Sequence, residues 1–123
     1  MTGHAIVLLA HGSRDPLWRR PIEAVRERIA QQHPGAVVCC AYLELCPPSL
    51  PDTLAALAGQ GSCSVRIVPM FLGAGRHVRE DLPRMVAHLA EQHGTLALHL
   101  QAPIGEDERL IALMASIASD DIA

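Results

Sequence analysis

Two histidines, His11 and His77, each come shortly after a strongly apolar run of residues, AIVLLA and VRIVPMFLG. Runs of this kind are typical of buried strands. An imidazole side chain binds divalent metals and exchanges protons near neutral pH. In an open parallel sheet, ligands bind beyond the carboxyl ends of the strands, where the strand order reverses. The two histidines are therefore predicted to lie at one edge of a sheet and to share a site for metal binding or proton transfer.

Four short apolar runs, bounded by glycine, proline or polar clusters, predict four strands at residues 4–10, 36–43, 64–71 and 95–100. Apolar residues at helical spacing follow each strand. The four helical sets are Trp18, Ile22, Val25 and Ile29; Leu50, Leu54 and Leu57; Val78, Leu82, Met85 and Leu89; and Leu110, Leu113, Met114 and Ile117. This alternation predicts a single α/β domain over residues 1–123. Its three αβα layers would hold a four-stranded, mainly parallel sheet with helices on both faces.

Local signals predict where the helices begin. Pro21 lies inside the first helical pattern, so this helix is expected to begin near residue 19 or 20. Ser49 precedes a first turn that contains proline, and the acidic pair at 106–107 stands at the start of the last helix. Asp81 and Pro83 are expected in the first turn of the third helix, where an acid and a proline are favoured.

The composition argues against several classes of protein. The chain of 123 residues has a formal net charge of −3 and one each of Phe, Trp and Tyr, whereas nucleic-acid-binding surfaces need a basic face and stacking rings. No apolar run is long enough to span a bilayer, and the first residues lack the basic region of a signal peptide. We therefore expect a cytoplasmic protein that acts on a small molecule, without nucleic acid or membrane as partner.

The cysteines and the remaining histidines favour structural or solvated roles. The four cysteines include no C-x-x-C pair and lie mostly in or beside apolar segments. Buried thiols in a reducing compartment are thus expected, rather than disulfides or a zinc site. His99 is expected to be a core or edge residue of the last strand. The cysteines are Cys39, Cys40, Cys46 and Cys63, and the histidines expected at helix ends and surfaces are His33, His88 and His93.

Four loops that connect strands to helices are predicted to share the carboxyl edge of the sheet. Glu44, in the second of them, adds a carboxylate to the two imidazoles. Ser13 lies beside His11 and raises the alternative of a small hydrolase, but adjacent residues on a turn seldom face each other and the G-x-S-x-G motif is absent. The four loops are His11–Arg14, Glu44–Ser49, Gly73–Arg79 and Pro103–Glu106.

Glycines and arginines in the same loops favour an anionic ligand. Glycine permits a positive φ or a close backbone approach, and free N–H groups at helix starts attract anions. The forked guanidinium group of arginine pairs with carboxylates. The G-A-G-R run lacks the third glycine of G-x-G-x-x-G and follows the third strand, so no nucleotide is expected. The groups concerned are Gly73, Gly75 and Gly105, and Arg14, Arg76 and Arg79.

Four motifs resemble a known family, the small class II tetrapyrrole chelatases of the CbiX type. They are L-L-A-H-G-S-R-D, A-Y-L-E, V-P-M-F-L-G-A-G-R-H-V-R-E-D-L-P and A-P-I-G-E-D, and together they extend over nearly the whole chain. The resemblance implies ATP-independent insertion of a divalent metal into sirohydrochlorin, in the pathway to cobalamin, sirohaem or a nickel tetrapyrrole. Co²⁺ is the expected metal, with Fe²⁺ and Ni²⁺ as alternatives. His11 and His77 match the metal-binding and catalytic pair, and Glu44 matches a glutamate of many members.

The same resemblance implies a homodimer, because longer relatives contain two such domains in one chain. Facing sheet edges would enclose the macrocycle and present each histidine twice. The macrocycle's peripheral carboxylates would then meet arginines and backbone N–H groups of the loops. A carrier that binds metal or tetrapyrrole without turnover remains the alternative. The residues expected to contact the macrocycle are Ser13, Arg14, Gly75, Arg76 and Gly105.

Overall fold

Strands and helices alternate along residues 3–122, the part of the chain that this computed structural model describes. Two 3-10 turns, Pro16–Arg19 and Ile104–Glu106, precede the first and the last α-helix. The four repeated β–α units of the sequence prediction are confirmed. The strands are β1 (His4–Ala10), β2 (Val37–Tyr42), β3 (Ser64–Pro69) and β4 (Ala97–Leu100), and the helices are α1 (Arg20–Gln32), α2 (Leu50–Gly59), α3 (Arg76–Gln92) and α4 (Glu108–Ala118).

The sheet is parallel throughout and has the strand order β2-β1-β3-β4. The chain leaves β1 for β2 on one side and then crosses to β3 on the other side, so the strand order reverses between β1 and β3. The first strand has the predicted bounds, whereas β3 ends at Pro69, two residues earlier than predicted. That earlier end places Phe71 in the loop that follows.

One face of the sheet carries the hydrophobic core. Odd-numbered residues of β1 and β3 point to this face because side chains alternate along a strand. They pack against leucines of α2 and α3, and each fully buried leucine or isoleucine contributes about 1.5–3 kcal/mol of hydrophobic stabilisation. The central members of this core are Val7, Leu9, Leu54, Leu57, Val65, Ile67, Leu82 and Leu89.

The opposite face is only half covered. Helix α1 packs over β1 and β2, where the Cys40 thiol lies 4.0 Å from the backbone oxygen of Ile22. Over β3 and β4 the face is open toward the amino edge, where the register neighbours Arg66 and His99 are both exposed, whereas Val68 further along β3 is buried. His99 is therefore an edge-strand residue. Helices therefore lie on both faces of the sheet, as predicted, although α1 covers only the β1–β2 half of this face.

The helix starts agree with the sequence signals except in α3. The Ser49 hydroxyl accepts from the backbone N–H of Asp52 at 3.2 Å, as expected of a helix cap. Helix α3 begins already at Arg76, so Asp81 lies in its second turn and Pro83 in its interior. The prediction of a first-turn position for these two residues is wrong. Because α3 begins with polar residues, its first turn could not be recognised from the apolar periodicity.

Helix α4 leaves several apolar side chains in solvent, while Leu110 and Met114 are half-buried. None of its residues is buried, and Leu113 and Ile117 are 55% and 66% exposed. Within residues 3–122, no helix has the length and apolar character needed to cross a membrane. The apolar side of α4 is thus only partly covered within the described chain.

Candidate functional site

The four loops at the carboxyl edge contact one another in the spatial order of their strands. The backbone N–H of Glu44, after β2, donates to the carbonyl oxygen of His11, after β1, at 3.0 Å. The His11 ring lies against Phe71, after β3, with ring centroids 5.0 Å apart. The N–H of Gly105, after β4, donates to the carbonyl oxygen of Phe71 at 2.9 Å. The predicted convergence of the four loops is thus observed.

His11 is the first residue after β1 and lies at the point where the strand order reverses. Its imidazole is exposed, but one side of the ring lies on buried Phe71, with an angle of 38° between the ring planes. Within the described chain neither ring nitrogen takes part in a hydrogen bond with protein. The ring is therefore held by an apolar contact while both nitrogens are available to a ligand.

Phe71 was not among the predicted site residues. It is the only phenylalanine of the chain. With 5% of its surface exposed, it belongs to the core as well as to the floor of the site. The available signal was a single large aromatic residue at the end of the third apolar run. Such a residue supports whatever lies above it by packing.

Gly12 allows the first two loops to approach each other. Its φ is +108°, a conformation that side-chain-bearing residues rarely adopt. A Cβ at this position would collide with the carbonyl group of Glu44. This role of Gly12 was not predicted, although the residue stands between His11 and Ser13.

The glycines of the later loops behave differently from one another. Gly105 fits its prediction, because a Cβ there would collide with the backbone of Leu72. Gly73 and Gly75 have neither a positive φ nor any neighbour that a Cβ would meet, so no contact within the described chain requires glycine at either position. Gly75 instead caps α3 with an ordinary φ of −66°.

His77 is the second residue of α3 rather than a loop residue. The loop predicted at Gly73–Arg79 ends at Gly75. The exposed His77 side chain lines a cavity of about 100 Å³ together with Leu43, the residue that precedes Glu44. His77 thus lies on the side of the site formed by the β2 loop. Among residues 3–122, however, no three His, Cys, Asp or Glu side chains converge closely enough to hold a metal ion.

The predicted anion-binding residues are exposed or engaged locally. Arg76 donates from Nε to Glu80 at 3.1 Å in an exposed pair one helical turn apart. Such surface pairs contribute little and open readily. The Ser13 hydroxyl accepts from the N–H of Asp15 at 3.1 Å, which orders the loop after β1. Arg14 is exposed beside it. These side chains are therefore accessible to a ligand.

The cysteines of β2 are neutral thiols. Burial raises the pKa of both Cys39 and Cys40, with Arg26 acting in the opposite direction. Burial also raises the pKa of Tyr42 to about 12. All four thiols are free, as expected, but the expectation that they are buried is wrong for Cys63, which is exposed, and the other three are half-buried.

One cavity lies at the carboxyl side of the sheet and a second lies at its amino edge. One of about 270 Å³ lies between α3 and the loop after β4, and Phe71, Val78 and Pro103 line it on the carboxyl side. The larger one, of about 970 Å³, lies at the amino edge, where Arg66 and His99 line it. Most of its lining comes from β1 and from the connection between α1 and β2, and it is remote from the four converging loops.

The chain matches a known protein family and is similar to several individual proteins. The sequence profile of the CbiX family matches residues 5–120. The sirohydrochlorin cobaltochelatase of Methanosarcina acetivorans is 28% identical over 118 residues, which cover 89% of each chain. The chloroplastic sirohydrochlorin ferrochelatase of Arabidopsis thaliana is 28% identical over 106 residues, which cover 86% of this chain and 47% of the plant protein.

Solved structures share the fold. A protein of Marinobacter aquaeolei VT8, described as a CbiX protein of cobalamin (vitamin B12) biosynthesis, is 38% identical and superimposes with a TM-score of 0.83 over 95% of each chain. The sirohydrochlorin chelatase SirB of Bacillus subtilis subspecies spizizenii, in complex with cobalt, is 25% identical with a TM-score of 0.79. The match covers 98% of this chain but 51% of SirB.

Proposed function

The chain belongs to the CbiX family, and we propose that it is an ATP-independent sirohydrochlorin chelatase, a lyase in the reverse direction. In this reaction sirohydrochlorin and a divalent metal ion give metallo-sirohydrochlorin and two protons. The observation that carries the proposal is the exposed His11 imidazole held on Phe71 beside the Glu44 loop, at the reversal of strand order. A crevice in this position is where open α/β sheets bind ligands.

The side chains that could bind a metal here suit an ion that is a substrate of the reaction rather than one that stays bound to the protein. Insertion requires that water leaves the metal, that the protein holds the ion near the ring, and that it then releases the ion to four ring nitrogens. Neutral imidazoles of His11 and His77 bind divalent ions of this kind. A site with few protein ligands releases its metal more readily than a closed structural site.

Two pyrrole N–H protons must leave as the metal–nitrogen bonds form. We assign one imidazole of the histidine pair, together with Glu44, to accept them, since imidazole and carboxylate groups are the common general bases. Each accepted proton then passes to solvent, because His11, His77 and Glu44 are all exposed. No nucleotide takes part in this scheme.

We also propose that the protein acts as a homodimer. Two-fold symmetry would bring a second His11 and a second His77 to the macrocycle and so complete a ligand set that residues 3–122 of one chain do not assemble. In support, this chain matches about half of SirB and of the plant ferrochelatase. We propose further that residues 1–123 form one domain and that the protein acts in the cytoplasm.

Co²⁺ is the proposed metal, with Fe²⁺ and Ni²⁺ as alternatives. The name of the Methanosarcina acetivorans relative specifies cobalt and that of the Arabidopsis thaliana relative specifies iron. Imidazole and carboxylate ligands accept all three ions, so availability and geometry decide between them.

The decisive experiment is an anaerobic optical assay with sirohydrochlorin and each metal ion separately. We expect wild-type protein to accelerate insertion, and His11→Ala and His77→Ala each to lower kcat/KM by about 100-fold or more. His88→Ala, an exposed histidine further along α3, is the matched control and should retain full activity. Binding of metal or macrocycle without acceleration would instead identify a carrier, and full activity in both histidine variants would refute the assigned roles.

The peripheral carboxylates of the macrocycle are assigned to Arg14, Arg76 and the backbone N–H groups near Ser13 and Gly75; the predicted contact at Gly105 is not included, because its N–H donates to Phe71. Arg14→Gln should raise KM for sirohydrochlorin several-fold with little change in kcat, because it removes a charge-assisted contact away from the reacting atoms. Arg28→Gln, an exposed arginine of α1, is the control. An unchanged KM in the Arg14 variant would remove this residue from the binding site.

A further inference from the structure

Two exposed leucines directly follow residues that shape the candidate site. Leu45 comes after Glu44 in the loop that follows β2, and Leu72 comes after Phe71 in the loop that follows β3. Their exposed fractions are 50% and 68%. A single exposed leucine is common on protein surfaces, but these two share the carboxyl edge of the sheet with His11. Leu45 and Leu72 are called the leucine pair below.

The leucine pair lies in the loops on either side of His11. In the strand order β2-β1-β3-β4, the loop after β1 is flanked by the loops after β2 and β3. The hydrogen bond from the Glu44 N–H to the His11 carbonyl joins the loops on one side, and the contact between the His11 and Phe71 rings joins them on the other. Three neighbouring loops thus carry, in order, an exposed leucine, an exposed imidazole and a second exposed leucine.

The backbone of Leu45 has a conformation that leucine seldom adopts. Its φ is +69°, and the N–H of Cys46 donates to the carbonyl oxygen of Glu44 at 2.9 Å. A hydrogen bond of this span around a residue with positive φ defines the rare, strained form of the γ-turn. Such strained positions cluster at active sites and ligand clamps. Because Leu45 is half exposed, burial within the described chain does not explain why a leucine occupies this position.

The backbone at Leu72 is also held in place. The N–H of Gly105 donates to the carbonyl oxygen of Phe71, and the Leu72 backbone lies so close to Gly105 that a Cβ would not fit there. The Leu72 side chain nevertheless stays mostly exposed. A side chain on an already ordered backbone loses less conformational freedom when it binds a ligand. Both leucines therefore present apolar surface from an ordered backbone.

We propose that the leucine pair contacts the apolar face of the tetrapyrrole, on both sides of the His11 imidazole. The contact rests on the proposed chelatase function and identifies the side chains that bind the face of the macrocycle, whereas the arginines were assigned to its edge. A tetrapyrrole is a flat disc with apolar faces and a carboxylated edge. Leucine side chains bury such a face and, because they have no donor atom, do not compete with His11 for the metal.

The charges near the leucine pair fit the same ligand. Arg14 follows His11 in the loop after β1, and Arg76 follows Leu72 at the start of α3. Both arginines are exposed and lie further along the chain from the strand ends than His11 and Leu72. Apolar groups close to the strand ends with cationic groups beyond them match a disc with apolar faces and an anionic edge. An entirely apolar partner would leave both arginines without a counter-charge.

The first test measures the affinity of the full-length protein for metal-free sirohydrochlorin, through quenching of the fluorescence of its single tryptophan. Leu72→Ala should raise the dissociation constant by about threefold to tenfold, because it removes apolar contact with the ring face. Val37→Ala, which shortens an exposed side chain at the amino edge of the sheet, is the matched control and should leave the constant unchanged. An unchanged constant in Leu72→Ala would overturn the proposed contact.

The second test uses the strained backbone of Leu45. Asparagine tolerates a positive φ better than leucine does, so Leu45→Asn relieves strain while it removes the apolar contact. We expect the midpoint of urea unfolding to rise, and the dissociation constant for metal-free sirohydrochlorin to rise by about threefold to tenfold. A leucine with a purely structural role would instead lose stability on replacement and leave the affinity unchanged. That result would contradict the assignment.

The third test repeats the titrations at low and high salt. Salt screens the contacts between arginines and carboxylates but not the apolar contacts. The dissociation constants should therefore rise with salt in wild type and in both leucine variants, while the ratio of variant to wild type stays the same. A ratio that approaches one at high salt would show that the leucines act through the charged groups, and the proposed face contact would be wrong.

Sedimentation equilibrium and the metal-free titration separate this contact from the other proposals. The mass of wild type and of both leucine variants should be the same, and a smaller mass in either variant would assign the leucine pair to a contact between copies instead. Binding does not require metal insertion, so a chain that binds sirohydrochlorin through these leucines without inserting metal would refute only the proposed reaction. A wild type that does not bind sirohydrochlorin would refute both.

Discussion

The imidazole of His11 lies on the ring of Phe71, with centroids 5.0 Å apart, across the boundary between β1 and β3. One residue belongs to the hydrophobic core and the other is exposed at the site. This contact links the packing of the sheet to the orientation of the group that we assign to the metal.

Replacing Phe71 should therefore affect activity more than stability. Phe71→Leu removes the ring face but keeps an apolar side chain, and we expect a loss of about 1–2 kcal/mol in unfolding free energy. Metal insertion should fall about tenfold in kcat/KM, since a loosely held imidazole is less well oriented.

Val86→Ala provides the matched control for Phe71. Val86 is also buried but lies in α3, away from the four loops. It should cost a similar free energy of unfolding while full activity is retained per folded molecule. Equal loss of activity in the two variants would show that stability alone, and not imidazole orientation, explains the effect.

The close approach of Gly12 to Glu44 predicts a large effect of one added methyl group. Gly12→Ala should lower the unfolding free energy by more than about 2 kcal/mol, from the positive φ and from the displaced loop. Gly94→Ala, at a position with no positive φ and no neighbour within 4 Å, should change it by less than about 1 kcal/mol. Urea unfolding measures both, and similar values would mean that the loop adapts without cost.

Most of the fold follows from local signals in the sequence. The run from His4 to Ala10 predicts β1 correctly at both ends because glycine or polar residues flank it. The start of α3 was placed too late, since Arg76 and His77 are polar and the apolar period begins only at Val78. A helical turn that faces solvent has no pattern of apolar residues, so the start of the helix cannot be predicted from apolar periodicity.

Residues of the candidate site could be predicted from the sequence, but the contacts that hold them in place could not. His11 and Glu44 follow from their position after strands, and the structure links their loops by a backbone hydrogen bond. The roles of Gly12 and Phe71 depend on how closely separate loops approach, which is a tertiary property. The exposure of α4 has the same cause, because the periodicity of Leu113 and Ile117 predicts a buried helix face, whereas their actual exposure depends on tertiary packing.

Pro83 in the interior of α3 should limit the stability of that helix. Proline lacks the N–H that would donate to the carbonyl of Arg79, and its ring crowds that group. Pro83→Ala should therefore raise the unfolding free energy by about 1–3 kcal/mol. Pro51→Ala, in the first turn of α2 where proline is well tolerated, should change it by less than about 1 kcal/mol. No gain from Pro83→Ala in thermal or urea unfolding would show that water satisfies the carbonyl.

Asp107 connects the pH dependence of folding to the start of α4. The side chain of Arg109 donates to both carboxylate oxygens, from Nε at 3.0 Å and from Nη2 at 2.8 Å. This pair, followed by the backbone N–H of Arg109, lowers the pKa of Asp107 to about 2. Because the folded-state pKa is lowered, the ionised carboxylate stabilises the fold above the unfolded value of about 4, and this contribution is lost as pH falls from about 4 to about 2.

Carboxyl-carbon NMR titration should show this directly for Asp107. We expect a midpoint near pH 2 in wild type. In Arg109→Ala the midpoint should rise only part of the way to the usual value, because the backbone N–H groups at the helix start still donate to the carboxylate. Arg84→Ala, which removes an exposed arginine 4.0 Å from Asp81, should leave the Asp107 midpoint unchanged. A wild-type midpoint near 4 would mean that Arg109 does not hold the cap in solution.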